Sequence, residues 1–154
     1  MSTKATPILV AGRGESVATV VVEHIQPEYE VIHVALAANI ENELPLLLQN
    51  KIPEDDKRSS FLGSGNWSTP PKAVVFGGAF TDDLIEKLQK LVAETKGSRN
   101  IPWLRVNAKI VGPAPGTPEY AISVSLKVKE ALQRFEAEGK LDVDGEGPGE
   151  VLWV

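Results

Sequence analysis

Five short apolar runs punctuate this chain: PILVAG (7–12), YEVIHVALA (29–37), KAVVFGGAF (72–80), IPWLRVN (101–107) and EVLWV (150–154). Runs nearly continuous in Val, Ile, Leu and Ala, rather than alternating with polar residues, suit strands buried on both faces. The segments between them have helical character, and no short hairpin signal interrupts the series. Strand and helix in alternation dictate a parallel sheet covered on both sides, because parallel strands are joined by right-handed crossovers. The expected architecture is a three-layer α/β sandwich around a five-stranded, mostly parallel sheet. Strand order 2-1-3-4-5 is preferred over a truncated 3-2-1-4-5, since nothing in the chain demands a sixth strand.

The first helix is expected over ESVATVVVEHI (15–25), with Val17, Val20, Val21, His24 and Ile25 near helical spacing. Three consecutive valines would also suit a strand, but the glycine-rich turn before them and Pro27 after them favour helix. NIENELPLLLQN (39–50) reads as a second helix, kinked or delayed by Pro45. TDDLIEKLQKLVAETKG (81–97) is a third, capped by Thr81, with Asp82 and Asp83 at its positive end and Gly97 closing it. Leu84, Leu88, Leu91 and Val92 are its expected apolar face. A fourth covers 119–140, with Val124, Val128, Ala131, Leu132 and Phe135 as its stripe. Residues 51–71, KIPEDDKRSSFLGSGNWSTPP, form one long irregular connection. Its polar content favours disorder, while Phe61, Leu62 and Trp67 favour a lid or packing flap, and both readings stay open. With no internal repeat and no dividing linker, residues 1–154 are expected to form a single domain.

Composition removes several classes of function. The net charge is -5 and no cluster of Lys and Arg occurs, which argues against nucleic acid or an anionic membrane as partner. The absence of cysteine rules out disulfides, thiolate catalysis and cysteine-ligated metals. His24 and His33 fall in different elements and are expected to be structural, and the acidic turn DVDGEGPGE lacks the spacing of a calcium loop, so no metal site is expected. No apolar run reaches the length of a membrane span, and MSTKATP lacks the apolar core of a signal peptide; a cytoplasmic location is the expectation.

In doubly wound sheets, ligands sit beyond the carboxyl ends of the strands, where strand order reverses. The first strand borders that point and ends in AGRGES, placing Gly12 and Gly14 at the opening of a helix. A backbone without Cβ lets a phosphate approach closely, and a helix N-terminus offers free N–H donors. Strand, Gly-x-Gly and helix together resemble the phosphate-binding turn of NAD(P)-binding Rossmann-type proteins, over roughly the first 40 residues. The resemblance implies a nucleotide cofactor or other small anionic ligand held by Gly12, Arg13, Gly14, Glu15 and Ser16, and an oxidoreductase-like activity. The second strand ends without the acid that would hold a ribose hydroxyl, and Arg13 could pair with a 2′-phosphate, which tilts the cofactor toward NADP. The alternative is plain turn chemistry, with Glu15 and Ser16 capping the helix.

FGGAF, ending the third strand, supplies a second wall from Gly77, Gly78, Ala79 and Phe80. Arg105, Asn107 and the 51–71 connection would then supply substrate contacts. No catalytic set can be named. The Tyr–Lys pair of short-chain dehydrogenases is missing, since the residue four after Tyr120 is Val124. The rival reading is a non-catalytic interaction module, a homodimer on a degenerate nucleotide-binding fold.

Overall fold

A computed structural model describes residues 5–78, 80–106, 117–142 and 145–154. Strand and helix alternate as β1 (Thr6–Gly12), α1 (Glu15–His24), β2 (Tyr29–Leu36), α2 (Ile40–Leu48), β3 (Val74–Phe76), α3 (Asp82–Ala93), β4 (Trp103–Arg105), α4 (Pro118–Ala137) and β5 (Val151–Trp153). The sheet has the order β2-β1-β3-β4-β5, with every neighbouring pair parallel. This is the expected flavodoxin-like order, and its reversal point lies between β1 and β3.

Alternation along β1 assigns the two faces. Ile8 and Val10 pack with Ala18 and Val21 of α1 and with Val128 and Leu132 of α4. Leu9 and Ala11 pack on the opposite side with Leu44 of α2 and Leu88 of α3. The expected stripe of α4 is buried as read, from Val124 to Phe135. On α3 the buried line is Ile85, Leu88 and Val92, with Leu84 and Leu91 half-buried, so the helix is rotated slightly from the expected face. Thr81 caps α3 by accepting a hydrogen bond from the Leu84 N–H at 3.2 Å. Pro45 is accommodated inside α2. Strands β3 and β4 are shorter than the apolar runs that encode them, although single bonds continue the ladder on both sides, from Lys72 N–H to Pro7 O (2.8 Å) and from Gly77 N–H to Ala11 O (2.9 Å).

The β1–β2 register slips once, pairing Ile8 with Val31 and Leu9 with His33. Ile32 is the extra residue, and the bulge turns Ile32 and His33 toward the same face. Ile32 joins the cluster containing Ile40 and Leu44, and His33 bonds Glu43 of α2.

The 51–71 connection forms a strap along the outer edge of β2. Ser64 and Gly65 donate their N–H groups to the carbonyls of Val31 and Ile32 at 2.8 and 3.0 Å, and the Ser60 hydroxyl donates to Val34 O at 2.6 Å. These bonds cover a strand edge that would otherwise invite pairing with another chain. Gly63 makes the close approach feasible. Its φ is +102°, and a Cβ there would lie 2.7 Å from the carbonyl of Ile32. Among the described residues no helix is long and apolar enough to cross a membrane.

Candidate functional site

The corner after β1 forms because the chain leaves the sheet at Gly12 and enters α1 at Glu15 with Gly14 as N-cap. Gly14 has extended backbone angles, and no side chain caps the helix, so capping by Glu15 or Ser16 does not occur. The N–H groups of the first turn are left without an intrahelical partner, at the positive end of the helix. The corner after β3 lies beside it, tied by the bond from Gly77 N–H to Ala11 O.

Both corners open on one cavity of about 610 Å³, on the α1/α4 side of the sheet. Its mouth is made by Gly12, Arg13, Gly14, Ser16, Gly77 and Gly78. Val10, Val75 and Val106 form the floor, while Val17 and Val21 of α1 face Tyr120, Val124 and Val128 of α4. Six of the residues expected from the sequence therefore meet in one place. The helical wall from α4 was not expected, because its valines read as an ordinary core stripe. The signal that could have revealed it is that α1 and α4 both present short, β-branched side chains, which leave space between two helices.

Three glycines of this rim, Gly12, Gly14 and Gly77, are not required by the protein's own packing. A Cβ on Gly12 would meet only Gly14 O at 3.6 Å, one on Gly77 would meet Ala11 O at 3.7 Å, and one on Gly14 would meet nothing within 4 Å. Arg13 is exposed and makes no ion pair among the described residues.

Other expected site residues lie elsewhere. Glu15 is exposed and does not line the cavity. Phe80 is buried on the opposite face, edge-on to Phe76 with ring centroids 5.1 Å apart. Arg105 points to that same face, donating to Asp82 Oδ1 and to Phe80 O at 2.7 Å each while its guanidinium lies 4.4 Å from the Trp153 ring centre. It ties β4, α3 and β5 together rather than reaching the cavity. No residue of 51–71 lines the cavity either. Ala79 and Asn107 lie outside the described residues.

A second polar cluster sits under the strap. His33 Nε2 lies 2.8 Å from Glu43 Oε1, both groups nearly inaccessible to solvent. Glu43 Oε2 accepts from Asn39 Nδ2 at 3.0 Å and from the Ser59 hydroxyl, while Ser59 Oγ accepts from the Leu36 N–H at 2.7 Å. Burial pushes the Glu43 carboxyl up, but hydrogen bonds from His33, Ser59 and Asn39 outweigh it and hold the group below the ordinary carboxylate range. His33 thus ties β2 to α2, and no group of potential metal ligands occurs among the described residues.

Fold and cleft together define a parallel α/β protein of flavodoxin-like topology, with an open pocket at the reversal point of its strand order. Within that class the chain is 32% identical over 142 residues to Kojic acid related protein 6 of Aspergillus oryzae (strain ATCC 42149 / RIB 40), covering 90% of this chain and 82% of that protein. The chain belongs to the family of that protein. No protein-family model matches it, and no solved structure does. The likeness to NAD(P)-binding Rossmann-type proteins holds at the level of the α/β topology.

Proposed function

We propose that this protein binds a small anionic molecule at the carboxyl rim of β1 and β3. One observation carries the reading: two glycine corners share a single cavity that the side chains of the described residues leave open. A volume of about 610 Å³ is in the range of small-molecule sites. A helix N-terminus and an arginine that has no ion pair among the described residues supply positive potential at the mouth for a phosphate or carboxylate. A nucleotide cofactor is the first candidate, and Arg13 at the mouth favours NADP over NAD.

The test is thermal melting of the full chain with NADP, NAD, FMN, ATP and coenzyme A at millimolar concentration. Kojic acid belongs in the panel because the relative carries it in its name. A ligand at about 100 times its Kd stabilises by about 2.7 kcal/mol, which reads directly as a higher midpoint. Arg13→Ala should leave the ligand-free midpoint unchanged and remove the shift caused by NADP; a mutant that binds as well as the parent would exclude Arg13 from phosphate contact.

An interaction module remains the second reading, favoured by one observation: Trp153, on edge strand β5, is 52% exposed. A stable dimer in solution together with no midpoint shift from any ligand would select it.

A further inference from the structure

The walls of the cavity say which part of a ligand could enter it. Beyond the mouth, Val10 and Val75 lie in neighbouring strands whose backbone groups pair with each other, and Val21, Val124 and Val128 project from helices with their own internal bonds. Among the described residues, Tyr120 carries the only side-chain polar group behind the mouth. A purine or nicotinamide amide pushed between these walls would lose its water and find almost no partner, and an unpaired buried polar group is penalised. An alkyl chain or unsubstituted aromatic ring would lose nothing of the kind. Valine is also stiff at χ1, so these walls cannot swing inward to fill the space as leucine or methionine would.

We infer that the ligand of this site is an amphiphile: an aliphatic or aromatic body seated between α1 and α4, with one anionic group at the glycine mouth. The inference rests on the anion-binding reading above and narrows it. If a nucleotide binds, its base stays outside the chamber.

The probes are octanoate and phenyl phosphate, compared with acetate, inorganic phosphate and NADP, each added to the full chain in thermal melts. Octanoate and phenyl phosphate should raise the midpoint at millimolar concentration. Octanoate should bind tighter than acetate by roughly tenfold or more, because it buries methylene groups that acetate lacks. Val124→Phe, which fills the chamber from α4, should abolish the octanoate shift while circular dichroism shows a folded protein. The wild type provides a check that needs no variant: the anionic fluorophore 1-anilinonaphthalene-8-sulfonate should bind and be displaced by octanoate but not by acetate. If phosphate or NADP stabilises while octanoate and phenyl phosphate do not, the apolar chamber is overturned and anion binding stands. If octanoate fails to displace the fluorophore, or Val124→Phe folds and still responds to octanoate, the chamber is again overturned. If no probe has any effect, both readings fall together.

Discussion

The two faces of the sheet are built from different stock. On the α2/α3 side, Phe76 packs against Phe80 and Trp103, with ring centroids 5.1 and 5.2 Å apart, and Leu44, Leu47, Leu48 and Leu88 join the same buried cluster. Long and aromatic side chains fill space on that side. On the α1/α4 side the facing rows are largely valine and alanine, and an open chamber remains at the rim. Each face carries a large apolar cluster, so hydrophobicity alone does not separate them. Side-chain length does, and the cavity lies on the face with the shorter side chains.

The glycines divide in the same way. Gly63 is demanded by the fold, since a side chain there would meet the backbone of Ile32. Gly12, Gly14 and Gly77 are not, since a Cβ at each would be in ordinary contact or none. Glycine where the fold does not require it, at the mouth of a cavity, fits a backbone kept bare for something outside the chain.

Six substitutions test this contrast. Glu43→Ala, on the filled side, would leave His33, Ser59 and Asn39 without their shared acceptor and should cost about 3 kcal/mol in urea unfolding. The pH dependence has a defined sign. The folded carboxyl of Glu43 is held below its ordinary value, so its stabilising contribution is present above the ordinary carboxylate range and is lost as pH falls through the folded value. Glu43→Gln should therefore flatten the acid limb of the stability profile.

Gly63→Ala should cost about 2 kcal/mol or more, since a positive φ is added to a backbone clash. Gly14→Ala should cost no more than about 1 kcal/mol, the difference between glycine and alanine at an N-cap, while weakening any ligand held at the mouth. Equal destabilisation by the two alanines would erase the distinction between the glycines. Smaller still is the contrast from added bulk. Ala35→Leu, in the filled cluster, should cost about 1–3 kcal/mol by overpacking, whereas Val124→Leu, facing the chamber, should be tolerated within about 0.5 kcal/mol. Thermal midpoints of the two variants suffice to compare them.

Much of this was legible in the sequence because the governing signals were local. Five apolar runs with helical segments between them leave few topologies, and the preferred order is the one observed. The two glycine corners were also legible, since loop position follows from topology. What could not be read was facing. Strands buried on both sides carry no amphipathic mark, so nothing in IPWLRVN says that Trp103 and Arg105 take the α2/α3 side while Leu104 and Val106 take the side of the cavity. Phe80 eluded placement because it lies past the end of β3, where strand alternation no longer assigns a face. The bulge at Ile32 and the strap along β2 depend on tertiary partners and leave no local period. The α4 wall was hidden because a valine beside a cavity and a valine in a filled core have the same pattern in sequence.

Methyl-resolved NMR of the full chain during titration with octanoate tests the central claim most directly. The account predicts saturable shifts at the methyls of Val21, Val124 and Val128, with those of Leu44, Ile85 and Leu88 across the sheet unmoved. Valine signals that stay fixed to millimolar octanoate, or that move no more than the leucines and isoleucine of the filled face, would contradict it.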